Sequence, residues 1–291
     1  MSAIARPLAL GRTRGRLRYG TVASHLLLGV GGFLMMVPFF WLLSSSLKMP
    51  HEIFVSPPKF IPDTVRWENY YEVLVQQPFP RLVRNTLVVT LPATLGQVLT
   101  AAMAAYGFSR LRFAGRDAVF AALLATIMLP YAVTLIPVYL LFKQLGWIGT
   151  FLPLIVPYWF GGGAFNIFML RQFFLSIPAE LEEAALIDGA EYPTIFARII
   201  LPLSVPALVV VVIFSFLHHW NDFLAPLIYL NNIKLWTVAI GILGLKGALG
   251  SRDTTHLMMA MSTLMVLPIV LIFFVAQRAF IQGIVLTGLK G

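Results

Sequence analysis

The sequence predicts an all-α integral membrane protein with six transmembrane helices, and three observations carry that expectation. Of 291 residues, 59% are hydrophobic and 11% charged, whereas an ordinary soluble domain carries about 25% charged residues. Six apolar runs lie near 21–47, 86–108, 118–142, 151–175, 205–230 and 257–282. Each reaches the ~20 residues that a helix needs to cross ~30 Å of hydrocarbon. The polar segments between them differ in charge in the way that loops on opposite sides of a bilayer do.

Residues 1–20 form a basic tail with Arg6, Arg12, Arg14, Arg16 and Arg18 and no acid. The apolar run that follows exceeds the roughly 7–15 residues of a signal sequence and precedes no small-x-small cleavage pattern, so it reads as an uncleaved first span. Residues 21–291 then form a single transmembrane domain. Arg110, Arg112 and Arg116 crowd the short segment 109–117. The positive-inside bias therefore places the N-terminal tail and that loop in the cytoplasm, and six spans return the C-terminus there. Loop 48–84 falls outside. Its prolines, among them Pro57, Pro58 and Pro62, forbid one continuous helix and suggest an extracytoplasmic cap.

Several function classes are excluded early. With no cysteine there is no disulfide framework, thiolate metal site or cysteine nucleophile. The net charge of +9 is largely explained by the inner segments, and nothing suggests a nucleic-acid surface. His51-Glu52 opens like a zinc-protease helix but is followed by Val55 where a second histidine is needed. Adjacent His218 and His219 would point about 100° apart on a helix, unsuited to one ion. No phosphate-cradling glycine loop ending in Lys-Ser/Thr occurs, so any ATP must be handled by another chain. The triplet Gly161-Gly162-Gly163 sits inside a span, where small residues allow close helix approach or local unwinding.

Polar residues inside apolar runs are the candidates for a transport path. Asp222 closes the segment His218-His219-Trp220-Asn221-Asp222, roughly 25 Å along its span from the inner end at 1.5 Å per residue. Facing lipid it would cost several kcal/mol. It therefore faces a cavity or partner helix, or else caps a helix at the outer boundary, and both readings stay open. Asn166, Trp220 and Asn221 join it as residues expected to approach the solute path or a partner subunit.

The cytoplasmic stretch 176–204 is the best patterned. Ser176 is suited to cap a helix, Pro178 to its first turn, and Glu180, Glu182 and Glu183 to the positive end of its dipole, with Gly189 as the stop. A second short helix is expected from about Pro193, showing Phe196, Ile199 and Ile200 on one face until Pro202 breaks it. On physical grounds this is either a knob for a groove on a partner or an amphipathic loop lying on the membrane.

Glu183-Ala184-Ala185, three residues, Gly189, nine residues and Ile199-x-Leu201-Pro202 resemble the EAA loop of binding-protein-dependent ABC importer permeases. Arg171-Gln172-Phe173-Phe174, Trp220-Asn221-Asp222-Phe223, Pro226-Leu227, Trp67-Glu68-Asn69-Tyr70 and the tail from Gly283 to Gly291 extend the likeness to the maltose-type carbohydrate permeases, specifically their six-span subunit. The resemblance implies a type I importer permease fold with a cytoplasmic coupling helix and an ATPase-facing surface at Glu180, Glu183, Ala184, Ala185, Asp188, Gly189 and Ala190. The tail Gly288-Leu289-Lys290-Gly291 is expected to reach toward the same ATPases. The implied partners are a second permease subunit, two ATPase subunits that bind ATP and Mg, and an extracytoplasmic solute-binding protein. This chain itself would hold no cofactor or metal. The implied location is a bacterial or archaeal plasma membrane and the implied cargo a carbohydrate. The rivals are a permease for a polyamine or phosphate ester and a membrane-embedded enzyme.

Overall fold

A computed structural model describes residues 19–249 and 254–288, and within them the chain is helical without a strand. The basic tail, Ser2 and the last three residues of the C-terminal tail lie outside the described residues. The main helices are α1 (Tyr19–Ser46), α2 (Phe79–Arg110), α3 (Arg116–Ala125), α4 (Tyr131–Gln144), α5 (Ala164–Ser176), α6 (Glu180–Ile187), α7 (Val205–Trp220), α8 (Val238–Leu249) and α9 (Thr255–Gly288). Among the described residues, four stretches can cross a membrane by length and composition, or six when two bent helix pairs each count as one span.

The bends are where the structure departs from a reading of straight rods. The run 118–142 is broken after a short 3-10 turn at Thr126–Met128, and its two halves meet at 100°. Pro130 is the break. It removes a backbone donor and pushes Leu129 out of helical conformation (ψ 114°). The run 205–230 stops at Trp220, and a separate short helix, Leu224–Tyr229, follows an irregular Asn221-Asp222-Phe223. In the run 151–175, Gly162 and Gly163 take φ of +45° and +80° and interrupt the helix before α5. Helix α2 begins earlier than expected, so Arg81 and Arg84 belong to its first turns rather than to the outer loop.

Helix α2 is the central post. Its apolar face, Val98, Ala101, Ala102 and Ala105, is buried with Ile167, Leu170 and Phe174 of α5 and with Val211 of α7. Small residues let the backbones close. A β-carbon on Gly162 would stand 2.7 Å from the Ala101 nitrogen, so α2 and the glycine break touch backbone to backbone. A second apolar cluster joins the outer part of α2 to α8 and α9 through Leu82, Val238, Leu257 and Met261. Helix α1 stays peripheral: none of the residues in its most apolar stretch is buried inside this chain, while Ser45 and Ser46 at its end are.

The outer cap is tied to the end of α1. Asn69 is fully buried and its amide donates to the Ser46 and Lys48 carbonyls at 2.9 and 3.0 Å. Lys48 is also buried, lies over the Trp41 ring at 4.1 Å, and donates to the Lys59 carbonyl. Burial holds its ammonium below the usual lysine range, with Glu52 opposing the shift.

Candidate functional site

The first site is the inner knob. Helix α6 spans Glu180–Ile187 with Glu180, Glu182 and Glu183 in its first turn, where the helix dipole favours acids. Ser176 does not cap it. Its hydroxyl donates to the Phe173 carbonyl at 2.7 Å, closing α5 instead, and α6 starts after Ala179. At the other end Ala190 donates to the Ala185 carbonyl at 2.9 Å and Gly189 to Leu186 at 3.0 Å, while Gly189 takes φ +81°. That pairing is a Schellman stop, which needs a residue at ease in the left-handed region.

Beyond the turn the chain forms Tyr192–Ile195, a wide π turn over Phe196–Ile200, and Leu201–Leu203. Pro202 therefore does not end this element, because the wide turn before it absorbs the missing donor. The chain instead bends by 82° at Ser204 into α7. Ile195 and Ile200 are fully buried.

The knob has two faces. Glu180, Leu181, Glu183, Ala184, Asp188 and Gly189 are exposed, as is Ile187 at 86%. Ala185 and Ala190 face the other way and pack against this chain's own core. Glu182 is buried, and its carboxylate lies 3.0 Å from Nε of Arg110. Burial pushes that carboxyl above its usual range, and the Arg110 charge opposes the shift. Sequence reasoning counted Arg110 as a topological charge and missed this pair. The available signal was a second glutamate beside Glu183 and an arginine, Arg110, closing another span at its inner end.

The second site lies among the spans. A half-open cavity of about 290 Å³ is lined by Gln97, Tyr131, Tyr158 and Tyr229 together with apolar residues, Gly161 and Gly163. Gln97 is held by Nε2 of His219 at 2.9 Å, and the Tyr158 ring stands edge-on to that imidazole at 4.3 Å. Sequence reasoning weighed His219 as a metal ligand and passed over Gln97 and the tyrosines, whose positions come together only through the breaks described above.

The structure distributes the four expected path residues differently. Asn166 is buried and donates to the Ser215 hydroxyl at 3.2 Å, joining α5 to α7. Trp220 is buried and donates to the Met265 carbonyl at 3.0 Å, joining α7 to α9. Asn221 is exposed and closes the end of α7 through the Leu217 carbonyl at 2.9 Å. Asp222 accepts from the Ala225 amide at 3.3 Å and so caps the short helix 224–229. It sits at the break between α7 and that helix, whose Ala225 and Tyr229 line the cavity.

Comparison with known proteins agrees with this architecture. A Bacillus subtilis (strain 168) protein described as probable ABC transporter permease protein YurM is 33% identical over 87% of this chain and 83% of its own length. The sn-glycerol-3-phosphate transport system permease protein UgpE of Escherichia coli O1:K1 / APEC is 30% identical over 91% of this chain and 96% of its own. Among solved structures, a chain of a bacterial ABC transporter involved in the import of the acidic polysaccharide alginate superposes with a TM-score of 0.76 and 22% identity, over 89% of this chain and 95% of that one. Residues 97–285 match the family described as binding-protein-dependent transport system inner membrane component. Two long relatives, that match across most of the chain and the fold together show that this protein belongs to that family, the inner-membrane permeases of ABC importers.

Proposed function

We propose that this permease carries a neutral, hydroxyl-rich solute of the carbohydrate class into the cytoplasm, by alternating access driven by ATPase subunits on separate chains. The observation that carries the cargo assignment is the cavity among the spans. Phenols and an amide supply hydroxyl-directed hydrogen bonds, and flat rings suit the C–H faces of a sugar. Its lining holds no lysine or arginine. A phosphate ester, the cargo named for the UgpE relative, would call for a cation there. The motif likeness to maltose-type permeases supports the same cargo. Of the four expected path residues, Asp222 borders the helix that lines the cavity and Asn166 donates to the Gly162 carbonyl between the lining glycines, while Trp220 serves helix packing.

The exposed face of α6, with Glu180, Glu183, Ala184, Asp188 and Gly189, is proposed to dock on the ATPase and transmit its closure. The chain itself carries out no covalent chemistry, and a second permease subunit and an extracytoplasmic binding protein complete the importer. The test is to purify the binding protein that restores transport with this permease in proteoliposomes and to identify its retained ligand by mass spectrometry. A neutral sugar or polyol is expected. Retention of a phosphate ester or polyamine, with uptake to match, would overturn the cargo assignment.

A further inference from the structure

Arg110 is the last residue of α2, and its guanidinium meets two other elements at once. Nε lies 3.0 Å from the Glu182 carboxylate in the first turn of α6, with both side chains 9% exposed. A terminal nitrogen donates to the carbonyls of Phe174 and Ile177, at 2.5 and 2.6 Å. Those carbonyls belong to the end of α5, where the dipole favours a cation; the Phe174 carbonyl also accepts from the Ile177 amide at 3.1 Å and takes Arg110 on its second lone pair. One terminal nitrogen thus bonds two carbonyls while Nε carries the ion pair with Glu182, a division of roles that a planar guanidinium allows and a lysine ammonium does not. Nearby, Arg171 donates from α5 to the Phe108 carbonyl of α2 at 3.1 Å, and the Tyr106 ring packs on Phe196 at 5.1 Å. The inner ends of α2 and α5 and the knob are thereby cross-braced.

Stability alone is a poor reason for such a pair, because desolvation takes back much of what two buried charges gain from each other. What the pair does supply is a fixed position. We infer that Arg110, acting with Glu182, is a positioning residue that makes α6 move as one body with α2 and α5, so that a push on the exposed face of α6 reaches the spans without slack. This rests on the docking role proposed above for that face.

The experiment uses spin labels at Met103→Cys on α2 and Leu186→Cys on α6, both exposed positions in a chain that has no native cysteine. Distances are measured in the full chain in lipid nanodiscs. They are measured again in the complex with its co-purified ATPases, before and after trapping with Mg-ATP and orthovanadate. The parent should give one narrow distance that trapping leaves unchanged. In Glu182→Gln and Arg110→Gln the nanodisc distribution should widen roughly twofold, and trapping should shift its mean, because α6 then moves without α2. Arg110→Lys, which keeps the charge and loses the fork, should fall between. Glu182→Gln keeps the result readable if Arg110→Gln does not fold. Parent-like narrow distances in both neutral variants, or a shift on trapping in the parent itself, would overturn the inference. ATPases that fail to co-purify or to trap nucleotide would instead count against the docking role, while the nanodisc comparison still decides the brace.

Discussion

At Gly189 a single backbone angle sets the exit of the knob. Its φ is +81° and nothing lies within 4 Å of where a β-carbon would stand, so the cost of substitution is conformational rather than steric. That cost is about 1–2 kcal/mol for an ordinary side chain, less for asparagine and more for a β-branched one. Gly189→Asn should therefore retain the ATPases through purification, Gly189→Val should lose them, and Glu183→Gln should show a smaller loss than Gly189→Val. Full retention by the valine variant would contradict this. Glu182 makes a second residue-scale prediction. Its carboxyl in the folded chain lies above the ordinary range, so the folded state binds this proton more tightly than the unfolded one. This group's contribution to stability should accordingly rise as pH falls through the raised value toward the ordinary one, even as the ion pair with Arg110 is discharged. Melting profiles should show this dependence in the parent and lose it in Glu182→Gln. Equal pH dependence in both would refute it.

At the scale of elements, the breaks matter more than the rods. Gly162 is strained for any L side chain and sits against the Ala101 backbone. Gly162→Ala combines left-handed strain with overpacking and should cost about 2–4 kcal/mol. A clear fall in melting midpoint of the detergent-solubilised chain is the expected reading, and an unchanged midpoint would show that the two backbones can part. Helix content and the long apolar runs could be read from the sequence because lipid demands both length and apolarity, and these are local properties. The bends could be suspected from prolines and glycines, but their angles depend on what packs against them. Ser176 misled because a cap and a closing residue of the preceding helix are chemically alike, and only the position of the Phe173 carbonyl separates them. Asp222 was open between cavity and cap, and it accepts from the Ala225 amide as a cap would, at the head of the helix that lines the cavity. For Arg110 and Glu182 the sequence offered charges of opposite sign on the same side, but only the fold selects Arg110 from its neighbouring arginines and brings residues so distant in sequence together.

On the scale of the whole molecule, α1 packs along α9 yet leaves most of its apolar surface uncovered. Lipid or another subunit must cover it. The charge pattern predicts an N-terminus inside, and on that expectation Ser2→Cys should resist an impermeant thiol reagent in intact cells and react after permeabilisation. Labelling in intact cells would reverse the topology.

The two faces of α6 have a further consequence for how such importers diversify. The inward side chains, Glu182, Ala185 and Ala190, answer to this chain's own core, whereas the outward ones, in the docking role proposed for them, answer to a separate protein. Selection can therefore rewrite the outward side chains, Gly189 apart, without renegotiating the fold behind them. One motor can come to serve many permeases, or one permease can change motors, by drift at a handful of surface positions while the lever beneath them keeps its shape.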